Sequence, residues 1–145
     1  MFDAELNRKI LKFAPKNYLV KDFAPDTFES LQSNRTYGLV IYAGASDNTV
    51  YGDPAVNHAF RAWHDMLHLS LNADFSVEGE KRVGLEQAKL IDSDIMSKII
   101  LAEVNGQVEY LEQHGQFPAN QLEFTLKYAG IRLERTIHEQ SRSVS

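Results

Sequence analysis

Cysteine is missing from this chain, which excludes disulfides and thiolate metal sites and leaves His, Asp, Glu and backbone oxygen as the available ligands. Long apolar runs are missing too, since none approaches the roughly 20 residues a spanning helix needs. The opening Met1-Phe2-Asp3-Ala4-Glu5-Leu6 lacks a basic segment ahead of an apolar one, so no leader is expected. These absences are read as a cytoplasmic protein with no membrane partner. Positive charge is not concentrated in a stripe either, and the formal net charge is −5. The phosphate-binding footprint of a nucleic-acid protein is therefore absent, and no nucleic-acid partner is expected.

What is present is an ordinary globular composition: 145 residues, 43% hydrophobic and 24% charged. That length can bury a core without covalent staples. A single domain is expected over residues 1–140, with a frayed tail at 141–145. Phe2, Leu6, Ile10, Leu11 and Ala14 recur at helical spacing up to Pro15. Tyr18 to Val20 and Tyr37 to Ala43 are β-rich, with a helical candidate near Asp26 to Gln32 between them. Gly44 to Asn48 is a turn, after which Thr49-Val50-Tyr51 is a candidate third strand.

From Asp53 onward the pattern becomes helical, Asp53 serving as N-cap with Pro54 at the first helical position. Four helices are expected: Pro54 to about Asn72, Ser76 to about Ile91, Ser93 to His114 with a stop at Gly115, and Ala119 to His138. The fold class is thus α+β, mainly α, a two- or three-stranded sheet followed by about four helices around a buried polar site.

Advancing 100° per residue turns spacing into facing. In the first of the four helices Val56, Phe60, Trp63, Leu67 and Leu71 form one apolar stripe. His64 and His68, four residues apart, lie on its edge, and their imidazoles can converge on one point. His58 falls far from the pair. In the third helix Glu103 and Gln107 belong to the apolar sector, with Tyr110 in line, whereas Lys98, Asn105, Glu109 and Glu112 gather on the opposite side. The second helix turns Glu80 and Gln87 inward in the same way. A buried carboxylate must take up a proton, pair with a cation or bind a metal. A divalent metal would supply the positive charge that no Lys or Arg obviously brings.

Two His residues at i and i+4 on a helix, with a Glu from a later helix, form a zinc-binding set. His64-Asp65-Met66-Leu67-His68 with Glu103 has that form, and on these residues the chain resembles the compact zincin-like (HExxH-type) metallopeptidases. The resemblance spans roughly residues 37–110 in order of elements. It implies zinc held by His64, His68 and Glu103, a bound water as nucleophile, and a peptide or small-molecule substrate. The chain departs from the pattern at Asp65, where the family has the Glu that activates the water, so Asp65 or Glu80 is expected as the base. Gln87, Gln107 and Tyr110 are expected to orient ligands or stabilise an oxyanion. Iron or manganese suits the same donors, and Glu80 is alternatively a fourth ligand. The runs Arg61 to Asp65, Asp74 to Glu80 and His114 to Pro118 also resemble uncharacterised bacteriophage-type proteins, which implies no function. The competing reading is a non-enzymatic structural, inhibitor or adaptor protein with a protein partner. In it the same polar groups form a structural metal centre or a hydrogen-bond network that fixes helix register.

Overall fold

The computed structural model describes residues 4–34, 39–44 and 49–130. Helix α1 (Ala4–Phe13) leads to strand β1 (Tyr18–Lys21), helix α2 (Phe28–Asn34) and strand β2 (Leu39–Tyr42). The two strands pair in parallel, from Tyr18 with Leu39 to Lys21 with Tyr42. A parallel pair needs a crossover long enough to return the chain to the same end, and α2 lies in that crossover. Leu39 and Ile41 turn inward and pack with Leu31 of α2 and Ala62 of the following helix. Among the described residues the sheet has two strands.

The expected third strand at Thr49 to Tyr51 is instead a turn, closed by the Gly52 N–H donating to the Thr49 carbonyl at 3.2 Å. Its β-forming residues serve burial and not a ladder. Val50 and Tyr51 are both sealed in the main core, where the Tyr51 ring meets Phe60 at 5.4 Å.

Helix α3 (Pro54–Leu71) begins as expected, with the Asp53 side chain accepting from the Ala55 N–H. It ends at Asn72, whose φ of 52° is left-handed, a conformation Asn tolerates better than most side chains. Helix α4 (Val77–Ile91) is capped by Ser76. Next comes one continuous helical stretch, α5 (Asp94–Leu101), a wider π-helical turn (Ala102–Gly106) and α6 (Gln107–His114), which stops at left-handed Gly115. Helix α7 (Gln121–Tyr128) is shorter than the sequence pattern, with Gly130 at φ 78° just beyond it. Residues 131–138 of the expected fourth helix, the tail at 141–145 and residues 45–48 of the expected turn lie outside the described residues.

The stripe on α3 is the spine of the core. Val56, Phe60, Trp63 and Leu67 are buried, each side chain contributing about 1.5–3 kcal/mol on burial. Trp63 stacks on Phe13 of α1 at 5.0 Å. On the other side α3 packs antiparallel to α4, and the π turn packs on both α4 and α7. Gly84 permits that contact, because a Cβ there would run into Asn105 and the Val104 side chain. Among the described residues no helix is long and apolar enough to cross a membrane.

Candidate metal centre

The hairpin of α3 and α4 builds the site. Residues equally distant from the turn in an antiparallel helix pair face each other. His68 lies three residues before the end of α3 and Glu80 three residues after the start of α4. The connector is held in shape by Asp74, whose carboxylate accepts from the Ser76 N–H at 3.1 Å, and by Ser76, whose hydroxyl caps Gly79 at 3.1 Å. Gly79 is needed there, since a Cβ would strike the Asp74 carbonyl.

His64, His68 and Glu80 come together as a group able to hold a metal ion. Glu80 Oε2 lies 2.8 Å from His64 Nε2 and 3.2 Å from His68 Nε2, and the two Nε2 atoms are 3.1 Å apart. Zinc bonded at about 2.0–2.1 Å in a tetrahedral site holds its ligand atoms about 3.3 Å apart, so this triangle is close to ligating size.

The far side of each imidazole fixes its proton. His68 Nδ1 lies 2.7 Å from the Ala73 carbonyl oxygen, which only accepts, so Nδ1 carries the hydrogen and a neutral ring turns its Nε2 lone pair toward Glu80 and His64. The left-handed Asn72 brings that carbonyl back under the ring. His64 Nδ1 lies 2.8 Å from Gln87 Oε1 and donates to it likewise. Metal-bound histidines are held in this manner, the second nitrogen donating to a carbonyl or carboxylate oxygen. Two Nε2 lone pairs and a carboxylate oxygen facing one point repel one another unless a cation stands between them or a ring takes a proton.

Burial alone would raise the Glu80 carboxyl, but without a cation the hydrogen bonds and charge of His64 and His68, whose Nε2 atoms donate to it only from protonated rings, outweigh burial and hold Glu80 at about 2. For His64 burial works downward, and the hydrogen bond and charge of Glu80 reverse it, so the ring is raised above its ordinary value. His68 is sealed in the core, with Phe75 at 4.8 Å from its ring.

His64 and Glu80 line a cavity of about 420 Å³, within the size range of small-molecule sites. Asp65, Arg61, Glu103, Gln107 and Phe60 line it too. Burial pushes Asp65 up to about 6, against the pull of His64 and His68. It pushes Glu103 up to about 7, against the Thr125 hydroxyl, which donates to Glu103 Oε1 at 2.6 Å, and the charge of Arg61.

The other expected site residues are distributed as follows. Glu103 lies on the π turn and shares the cavity, but the carboxylate in the group with the two imidazoles is Glu80. Gln87 holds His64. Gln107 is buried on the cavity wall with Nε2 unpartnered among the described residues. Tyr110 is not on that wall and instead packs against His114 and Phe124 at 4.2 and 5.3 Å. His58 faces the Ala43 carbonyl at 3.3 Å, apart from the group. The Ala73 carbonyl had no sequence signal, although Asn72 at the helix end marks where the chain turns back. No known protein family, curated protein or solved structure matches the chain.

Proposed function

We infer that the protein is a metal-dependent hydrolase in which His64, His68 and Glu80 hold a divalent cation, zinc being the best fit to a two-imidazole, one-carboxylate set. Iron and manganese suit the same donors. The observation that carries this reading is the convergence of both Nε2 atoms and Glu80 Oε2 within 3.2 Å while both Nδ1 atoms are engaged from behind.

The cavity favours chemistry over a closed structural centre. His64 and Glu80 are 15% and 22% exposed along their side chains, so a water and a substrate can approach the cation from that side. A zinc ion held by these three residues would lower the pKa of a bound water to about 7 and supply it as the nucleophile toward a substrate carbonyl carbon, displacing the group bonded there. Asp65, on the same wall, takes the water's proton and passes it to the leaving nitrogen or oxygen as that bond breaks. Glu103 is a second carboxyl able to exchange a proton near neutrality.

The test is zinc titration by calorimetry of metal-stripped protein, followed by a panel of fluorogenic amides, esters and phosphate esters. Zinc uptake that is lost in His68→Ala, together with zinc-dependent turnover that is lost in Asp65→Asn, supports the reading. Absence of zinc uptake by the wild type overturns it.

A further inference from the structure

The wall of the cavity is poorly suited to an anion. It carries three carboxyl groups, Asp65, Glu80 and Glu103, against one guanidinium, Arg61. Arg61 Nη1 already donates to the carbonyls of Tyr42 and Gly44, both at 2.6 Å, and the charges of Glu103 and Asp65 act on the same guanidinium. Away from the metal, a carboxylate or phosphate group against this wall loses water without gaining an uncommitted positive partner.

The same wall offers a donor and an acceptor. Gln107 is 8% exposed, and its Nε2 is buried with no hydrogen-bond partner among the described residues. Buried amide donors are rarely left unmatched, and one on a cavity wall calls for an acceptor from the ligand or a water. Glu103 lies four residues earlier on the adjoining π turn. One of its oxygens accepts from Thr125, and a carboxylate has further lone pairs to offer. Phe60, Val104, Val108 and Phe117 supply apolar surface around this pair.

We propose that this wall selects an uncharged amide, the ligand carbonyl accepting from Gln107 and the ligand N–H donating to Glu103, and that it discriminates against carboxylates and phosphate esters. The proposal rests on the hydrolase reading and narrows it to amide-bearing, peptide-like substrates.

Two nearly isosteric probes test it, para-carbamoyl-benzohydroxamate and para-carboxy-benzohydroxamate, both anchored on the metal through the hydroxamate. Zinc binding is measured first on the full chain, then each probe is titrated into zinc-loaded protein at about pH 8, where carboxylates are ionised. The carbamoyl probe should bind at least about tenfold more tightly than the carboxy probe. Glu103→Gln should shrink that preference to under about threefold, and Gln107→Leu should weaken the carbamoyl probe while leaving the carboxy probe unchanged. Equal or tighter binding of the carboxy probe, failure of both probes to bind, or a preference untouched in both variants overturns the proposal while leaving the metal site standing. Failure of zinc itself to bind removes the hydrolase reading and this inference with it.

Discussion

Replacing Glu80 by Gln separates the metal reading from every account in which the polar cluster is only a hydrogen-bond network. Gln keeps the shape and can still hydrogen-bond an imidazole, but it removes the one anionic donor among the three atoms that face each other. A ligand that binds only the folded state stabilises it by about 2.7 kcal/mol when present at a hundred times its Kd. For a chain of this length that raises Tm by roughly 10 °C. Loss of even a group that supports a metal ligand weakens binding by about 10–100-fold, and a direct ligand should cost at least as much. A hundredfold loss brings the same zinc concentration down to about one Kd, where the stabilisation is only about 0.4 kcal/mol, or roughly 1–2 °C. Glu103→Gln keeps the Thr125 hydrogen bond and leaves the triangle of donors intact, so its zinc shift should equal that of the wild type. The assay is differential scanning calorimetry of each protein in chelator and in zinc. If Glu80→Gln retains the full shift, or Glu103→Gln loses it, the assignment of the ligating carboxylate is wrong.

Other consequences of the structure can be measured independently. Gln87→Leu removes the acceptor behind His64 and should weaken zinc binding by about 10–100-fold in calorimetric titration, whereas His58→Ala should leave affinity unchanged. Burial raises Glu103 to about 7 against an ordinary value near 4.5. Its protonated form therefore favours folding fully at acidic pH, and that contribution is lost as pH rises from about 4.5 to about 7. In urea unfolding of metal-free protein, Glu103→Gln should gain about 2–3 kcal/mol on the wild type between pH 5 and 8, and parallel pH profiles would contradict the burial argument. Gly84→Ala should destabilise by about 1–3 kcal/mol despite its better helix propensity, because a Cβ there forces α4 off the π turn. Unchanged stability would contradict so close an approach of α4 to the π turn.

The long helices were legible because their ends carry physical signals. Asp53-Pro54 and Ser76 satisfy free N–H groups, and Gly115 takes the left-handed stop. The inward turn of His64, His68, Glu80 and Gln87 followed from ideal helical rotation, which α3 and α4 obey.

The stretch from Ser93 to His114 does not obey it throughout. The π turn at Ala102–Gly106 changes the angular advance, so Asn105, assigned to the charged side by counting, instead has a buried Oδ1. The choice between Glu80 and Glu103 was therefore beyond a count of 100° steps, though hairpin arithmetic could have favoured Glu80. The connector between α3 and α4 is short, and His68 and Glu80 are equidistant from it. Thr49 to Tyr51 misled for another reason. β-branched and aromatic residues suit any half-buried surface, and here that surface is a turn plugging the core.

The most direct measurement is elemental analysis of protein purified without an affinity tag or chelator, then exposed to excess zinc and dialysed, with His68→Ala in parallel. The account predicts about one equivalent of bound metal in the wild type and almost none in the variant. A wild type that retains no metal would contradict it, and the converging imidazoles and Glu80 would then be held together by a shared proton.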